Sequence, residues 1–292
     1  MWISDRLSFA HLGDLRNRNI ATQHNSASEE DMHAQEQQQR YQLSAVLGTG
    51  SYGQVFVALD SDTQQPVAIK VVGNQTNAHR IDNEIKANSI VSGVRGICPF
   101  RGHFRNNQET CLVFDRILGI DLFQLLESRN YRPLPELRVR KIMSRVAHAL
   151  SECHRRGVAH RDIKLENIMI DDQDRGTIID FGLASFIDSV DGKEMATRDL
   201  CGSMEYMAPE FVLQKSIEAS KTDAWALGVT TFALLYGAFP YATEELGDVI
   251  ENQCVDIPAK ADGVRISEDM RRILSKLMTI DPARRAGVEI LK

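Results

Sequence analysis

The sequence carries His160-Arg161-Asp162-Ile163-Lys164-Leu165-Glu166-Asn167 and, after a short strand-type run and a turn, Asp180-Phe181-Gly182. Gly157-Val158-Ala159 leads into the first stretch and Gly176-Thr177-Ile178-Ile179 into the second; short runs of apolar and β-branched residues are strand formers. Both polar stretches therefore sit where strands end, and their side chains are expected to face a cleft. Taken singly, Asp162, Asn167 and Asp180 also read as turn residues, because Asp and Asn side chains bond nearby backbone in loops.

With 292 residues, 43% hydrophobic and 25% charged, the chain has an ordinary globular composition and is long enough for two lobes around such a cleft. A formal net charge of -6 offers no overall attraction to nucleic acid or to an anionic membrane surface. Neither is expected as a partner. Five cysteines, Cys98, Cys111, Cys153, Cys201 and Cys254, are odd in number and widely spaced, which suggests neither a disulfide framework nor zinc. The expectation is a reducing, intracellular compartment, cytoplasm or nucleus. The amino terminus meets Asp5 and Arg6 before any apolar run develops, unlike a secretory signal peptide. Ala224 to Thr243 is free of charge and about as long as a spanning helix. Gly228, Thr230, Thr231, Gly237 and Pro240 interrupt it and Asp223 precedes it, so a buried core helix is the better reading.

Residues 1–40 are polar, end in a Gln-rich run and read as a flexible tail. Strand-type runs follow at Tyr41 to Leu47, Gln54 to Leu59 and Pro66 to Val72, separated by turns, and read as an antiparallel meander. From Ala78 to Ile90, Ile81, Ile85 and Ile90 recur at helical spacing with Glu84 on the side of Ile81 and Asn88. An acid on that side needs a partner. Strand character returns at Gly102 to Phe104 and Thr110 to Phe114; after Gly119, helical patterns dominate, as in Glu136 to Cys153 and Asp269 to Met278. The chain thus reads as an α+β protein, a small β-rich lobe followed by a larger helical one.

Gly48-Thr49-Gly50-Ser51-Tyr52-Gly53 ends a strand and is followed by Gln54-Val55-Phe56-Val57-Ala58, a second strand. Such a glycine-rich turn can lie over phosphates, but the pattern alone occurs in many turns. Val67-Ala68-Ile69-Lys70 places a lysine in an otherwise apolar, β-branched run. It is either an exposed edge-strand lysine or a half-buried one that requires compensation.

The ordered set of glycine-rich turn, Val67-Ala68-Ile69-Lys70, His160 to Asn167, Asp180-Phe181-Gly182 and Ala208-Pro209-Glu210 resembles the catalytic domain of eukaryotic-type serine/threonine protein kinases. The resemblance covers residues of about 41 to 292. It implies a bilobal fold: a small antiparallel β-rich N-lobe with one main helix over 41–117, and a larger, mainly helical C-lobe over 118–292. It also implies ATP and Mg2+ as cofactors. Asp162 would accept the substrate hydroxyl proton, Lys164 would meet the transferred phosphate, and Asn167 and Asp180 would hold magnesium. Gly48, Gly50, Gly53 and Lys70 would attend the phosphates, with Glu84 as the partner of Lys70. Leu47, Val55, Ala68 and Met169 would enclose adenine, Phe114 would lie behind it, and the backbone around Asp115 and Ile117 would bond its edge. Asp121 would reach the ribose or a basic substrate residue. Glu210 is expected to pair with Arg285, and Asp223 to brace the catalytic loop.

Lys164 and Ser203 favour Ser/Thr protein acceptors, while Asp121 and Glu166 imply a weak preference for basic residues upstream of the acceptor. Leu165 replaces a common proline, which does no chemistry. Asn88 stands where the family places an apolar residue against Phe181, so some dependence on a regulatory partner or on substrate is expected. Asp199 stands where many relatives carry a phosphothreonine, implying a built-in ion pair with Arg161, with Thr197 as an alternative regulated site. Relatives often continue for another helix beyond the position of Lys292.

Overall fold

The computed structural model describes residues 39–50, 53–73, 78–105, 108–187, 189–190, 193–194, 202–213 and 217–292. Two compact units emerge: the described residues up to Thr76 with Arg101–Arg116, and Asn77–Phe100 with Ile117–Lys292.

The first unit is a sheet of five strands: β1 (Tyr41–Gly50), β2 (Gly53–Asp60), β3 (Pro66–Gly73), β4 (Phe100–Arg105) and β5 (Glu109–Asp115), in the order β1-β2-β3-β5-β4. Neighbours in the β1-β2-β3-β5 run are antiparallel, as a meander of apolar runs separated by turns dictates. Successive side chains alternate between faces. Ala58, Val67, Ile69, Cys111 and Val113 fill one face with Phe104, on which Tyr41 stacks at 5.8 Å. The other face carries Val55 opposite Lys70 and Ala68 opposite Phe114. At the end of β2, Asp60 is fully buried, which only works for a charge with partners. Arg40 donates to both carboxylate oxygens at 2.8 Å and Thr63 Oγ1 to Oδ2 at 2.9 Å. The Arg40 bonds hold this carboxyl well below the usual range against the cost of burial.

In the second unit, helix α1 (Ala78–Val91) buries Ile81, Glu84, Ala87, Asn88 and Val91. The resemblance assigned it to a lobe ending at residue 117, whereas here it belongs to the helical unit. The cause is its apolar stripe: Ala87 and Val91 join one core with Leu122, Leu150, Cys153 and Val158. Helix α2 (Leu122–Ser128) starts at Asp121, whose Oδ1 caps the Gln124 N–H at 2.8 Å. Helix α3 (Glu136–Arg155) buries Val139, Ile142, Met143, Val146, Ala147 and Leu150, at helical spacing.

Helix α4 (Ala219–Tyr236) is buried almost all round, Asp223 and Thr222 included. The expected helix from Ala224 to Thr243 therefore begins and ends earlier. Gly237 stops it at φ 71°, a left-handed cap, and the Tyr131 carbonyl occupies the place of any Cβ there. Thr230 and Thr231 hydroxyls bond back to Ala226 and Leu227 carbonyls at 2.8 and 2.7 Å. Among the described residues no helix is long and apolar enough to cross a membrane. Helix α5 (Glu268–Leu277) is capped by Ser267.

Short strands frame the polar stretches. Strand β6 (Ile120–Asp121), β8 (Ile168–Ile170) and β9 (Gly176–Ile178) form one sheet, and β7 (Val158–Ala159) pairs with β10 (Ser185–Phe186). Strand β7 delivers His160, β8 follows Asn167, and β9 leads to Asp180.

Candidate active site

Ile168 pairs with Ile178 across β8 and β9, and the Ile179 N–H donates to Asn167 O at 2.9 Å. This pairing brings the ends of the two polar stretches together, and a closed ring of hydrogen bonds follows. Asn167 Nδ2 donates to Asp162 O at 2.8 Å and Asp162 Oδ2 at 2.9 Å. The Asp162 N–H donates to His160 Nδ1 at 3.3 Å. With Nδ1 accepting, Nε2 is left to donate to Ile179 O at 3.0 Å. His160, Asp162, Asn167 and Ile179 are therefore mutually fixed, with Asp180 the next residue along the chain.

Lys164 and Ser203 close over the same carboxylate. Lys164 Nζ lies 2.9 Å from Asp162 Oδ2 and 2.9 Å from Ser203 Oγ, and Ser203 Oγ lies 3.2 Å from Asp162 Oδ1. Beside them a small cavity is lined by Asp162, Ser203, Tyr206, Met207 and Phe211. Tyr206 OH accepts the Leu165 N–H at 3.3 Å and donates to Glu166 Oε2 at 3.4 Å. Burial and the neighbouring Glu166 charge keep that phenol well above its ordinary pKa, so it serves as a neutral donor.

Beneath the loop, fully buried Asp223 accepts the His160 N–H at 2.9 Å and the Arg161 N–H at 2.7 Å, and His154 Nε2 lies 2.7 Å from its Oδ2. Arg161 stands at φ 66° and Asp180 at φ 63°, a region that non-glycine residues occupy at a cost. Glu210 and Arg285 meet in a buried two-pronged pair at 2.7 and 2.8 Å. The arrangement gathers Asp162 and Asn167 at the ends of two paired strands, with Lys164 over the Asp162 carboxylate and buried Asp223 beneath the loop.

The protein kinase domain family matches residues 41–292. The chain belongs to this family.

Similar proteins include CBL-interacting protein kinase 4 of Oryza sativa subsp. japonica, 31% identical over 265 residues, which are 86% of this chain and 56% of the relative. Serine/threonine-protein kinase ULK3 of Mus musculus is 31% identical over 253 residues, 83% of this chain and 52% of the relative. Serine/threonine-protein kinase pkn3 of Myxococcus xanthus is 30% identical over 269 residues, 87% of this chain and 49% of the relative. The chain spans about half of the length of these relatives.

Within this kinase domain, the expected catalytic residues Asp162, Lys164 and Asn167 converge, and Asp180 adjoins them. Asp223 and Arg285 have the partners the resemblance implied. In the second unit Glu84 is buried on α1, and Met169 is half-buried opposite Asp121. Burial raises the Asp121 carboxyl, with the Glu166 charge adding to the rise and the helix cap opposing it. Ile117 is half-buried beyond β5. In the first unit Val55, Ala68, Lys70 and Phe114 share the sheet face opposite its core, Gly48 pairs with Val55, and Asp115 ends β5. Leu47 is half exposed on edge strand β1, and Gly50 and Gly53 pair at the facing ends of β1 and β2. Ser51, Tyr52, Thr197, Asp199 and Cys201 lie outside the described residues, as do residues 1–38 of the expected tail.

His154 was missed by sequence reasoning. Its signal was available: it follows Leu150 by one turn on the buried side of α3, and a histidine there requires a partner.

The family implies ATP and Mg2+. Asp180 offers a carboxylate and Asn167 an amide oxygen, the hard donors that Mg2+ takes together with substrate phosphates. Among the described residues no group of three or more His, Cys, Asp or Glu side chains could hold a metal by itself. A partial protein coordination sphere of this kind fits a cation completed by phosphate oxygens.

Proposed function

We propose that this chain is the catalytic part of a serine/threonine protein kinase, transferring the γ-phosphoryl group of ATP to Ser and Thr hydroxyls of proteins. The hydrogen-bonded ring of His160, Asp162, Asn167 and Ile179 carries this reading, since it sets a proton acceptor and the metal-type oxygens in one frame. When bound, ATP with Mg2+ would supply an electrophilic phosphorus and phosphates already partly neutralised. Asp162 would orient the acceptor hydroxyl and take its proton at a carboxylate oxygen. Lys164, 2.9 Å from that carboxylate, would balance charge developing on the transferred group. Asn167 and Asp180 would hold magnesium. Gly48, Gly50, Gly53 and Lys70 are assigned to the phosphates, and Glu84 to positioning Lys70.

For the acceptor peptide, Ser203 beside Asp162 supports serine and threonine. Asp121 and Glu166 repel one another, and an upstream lysine or arginine would relieve that repulsion. The preference is weak because Ala233 stands where more selective relatives add an acid. A regulatory partner and an intracellular location belong to the same proposal. Asn88 in the buried face of α1 supports the first. Free thiols at Cys98, Cys111, Cys153 and Cys254 agree with the second.

Purified protein with Mg2+, labelled ATP and a generic basic Ser/Thr peptide tests the proposal. Transfer is expected, with Asp162→Ala slower by roughly 10²- to 10⁴-fold. Absence of transfer by the parent, or equal transfer by Asp162→Ala, would overturn it.

A further inference from the structure

Two cations of α1 reach the segment that follows Asp180. Arg80 Nε donates to Gly182 O at 2.9 Å, and Lys86 Nζ lies 4.1 Å from the centre of the Phe186 ring. The Gly182 N–H in turn donates to Asp180 Oδ1 at 3.1 Å. Gly182 is thus held on both sides, its carbonyl by the helix and its amide by the carboxylate assigned to magnesium. Phe186 anchors the far end, because it pairs with Val158 on β7, the strand that delivers His160.

This segment needs holding. Asp180 occupies a left-handed backbone conformation, which persists only where surrounding contacts fix it. Between Phe181 and Ala184 the chain is turn rather than strand, so no ladder supplies those contacts. The buried face of helix α1 mixes apolar Ile81, Ala87 and Val91 with polar Glu84 and Asn88, and Asn88 Nδ2 bonds the helix's own Glu84 carbonyl at 2.9 Å. The polar clasp adds to the apolar contacts of that face.

We propose that Arg80 and Lys86 are positioning residues for Asp180, acting through Gly182 and Phe186, and that they set how tightly the nucleotide site takes Mg2+. The proposal rests on the kinase reading above. Arg80 acts through one carbonyl and one shared glycine, so its loss displaces the carboxylate without removing a metal ligand. Lys86 acts through a ring contact at the exposed end of the clasp, so its effect is smaller.

Mg2+ titrations of fluorescent ATP-analogue binding to the full chain, read by anisotropy, test this alongside thermal midpoints. Arg80→Ala is expected to raise the Mg2+ midpoint about three- to ten-fold, only part of what a hydrogen bond from a charged donor is worth, because Arg80 reaches the carboxylate through Gly182. Lys86→Met, which keeps the aliphatic stem on Phe186, should raise it about two-fold. Nucleotide binding without Mg2+ should stay at the parent level in both. Arg80→Lys, retaining a donor, should recover most of the loss, and Ser89→Ala, whose Oγ bonds the Ile85 carbonyl of the same helix, should match the parent. Lys86 is exposed, so its variant remains informative even where Arg80→Ala misfolds. Unchanged Mg2+ midpoints in Arg80→Ala and Lys86→Met would overturn the positioning role. Equal weakening with and without Mg2+ would overturn it too, by marking a general loosening of α1. A parent protein that binds no nucleotide at any Mg2+ concentration would instead overturn the kinase reading, and this inference with it.

Discussion

Asp223 accepts the Arg161 N–H at 2.7 Å while Arg161 stands at φ 66°. Backbone of that kind costs about 1–3 kcal/mol and survives where neighbours over-determine it; a fully buried carboxylate bonding two successive amides does so. Burial would raise the Asp223 carboxyl, but the His154 bond and the surrounding donors outweigh it and hold the folded value below the ordinary one. The unfolded chain therefore binds this proton more readily. Stability from Asp223 is fully present above the ordinary carboxylate range near about pH 4 and is lost as pH falls through the lower folded value. Asp223→Asn should be less stable at neutral pH and should flatten the acid limb of the stability curve. Urea midpoints from neutral pH down into the acid transition check this; parallel acid limbs for parent and variant would refute it.

The Glu210–Arg285 pair is buried on both sides and further held by Arg285 bonds to Thr279 O at 2.9 Å and Lys221 O at 2.8 Å. Removing one partner strands the other charge in the core. Arg285→Ala should cost about 3–5 kcal/mol in denaturant unfolding. The exposed Arg272–Asp269 pair has the same distance class, at 2.9 Å, yet Arg272→Ala should cost at most about 1 kcal/mol. Similar losses from the two variants would contradict the role given to burial.

Much of this was legible from residue types. Lys164, Asn167 and Asp180 carry chemistry that few other side chains supply, and the apolar, β-branched run of Pro66 to Val72 marked a strand with Lys70 inside it. The ring that joins the site was not legible, because three of its links, Ile179 to Asn167 O, Asn167 to Asp162 O and His160 to Ile179 O, end on main-chain atoms that any residue provides. The end of α4 was misplaced for a related reason. Gly237 is a stop signal only in a left-handed conformation, and the crowding Tyr131 carbonyl that enforces glycine comes from a distant loop.

Gly53 has a second duty beside the phosphate role the resemblance implies. A Cβ at this position would fall on the Val71 carbonyl of the neighbouring strand, so the residue sets the approach of β2 to β3. Gly53→Ala should destabilise the protein by about 1–3 kcal/mol, as overpacking does. Gly73→Ala places its Cβ in open space and should change stability by less than about 0.5 kcal/mol. Chemical denaturation of both variants decides the point, and equal costs would remove the packing role.

Cysteine reactivity reports the two cores separately. Burial, with the Glu109 charge adding to it, pushes the Cys111 thiol up to about 12 in the first unit. In the second, burial and the Asp223 charge push Cys153 up to about 12. Since only the thiolate attacks, about one in ten thousand of either would be reactive at pH 8. Cys254 is exposed and Cys98 is buried. Iodoacetamide at pH 8 should therefore label Cys254 in the native protein and spare Cys98, Cys111 and Cys153 until unfolding. Peptide mass spectrometry over a denaturant series would then show Cys111 gaining label as the sheet opens and Cys153 as the helical core opens. Native labelling of Cys111 or Cys153 at the rate of Cys254 would contradict the packing described for that unit.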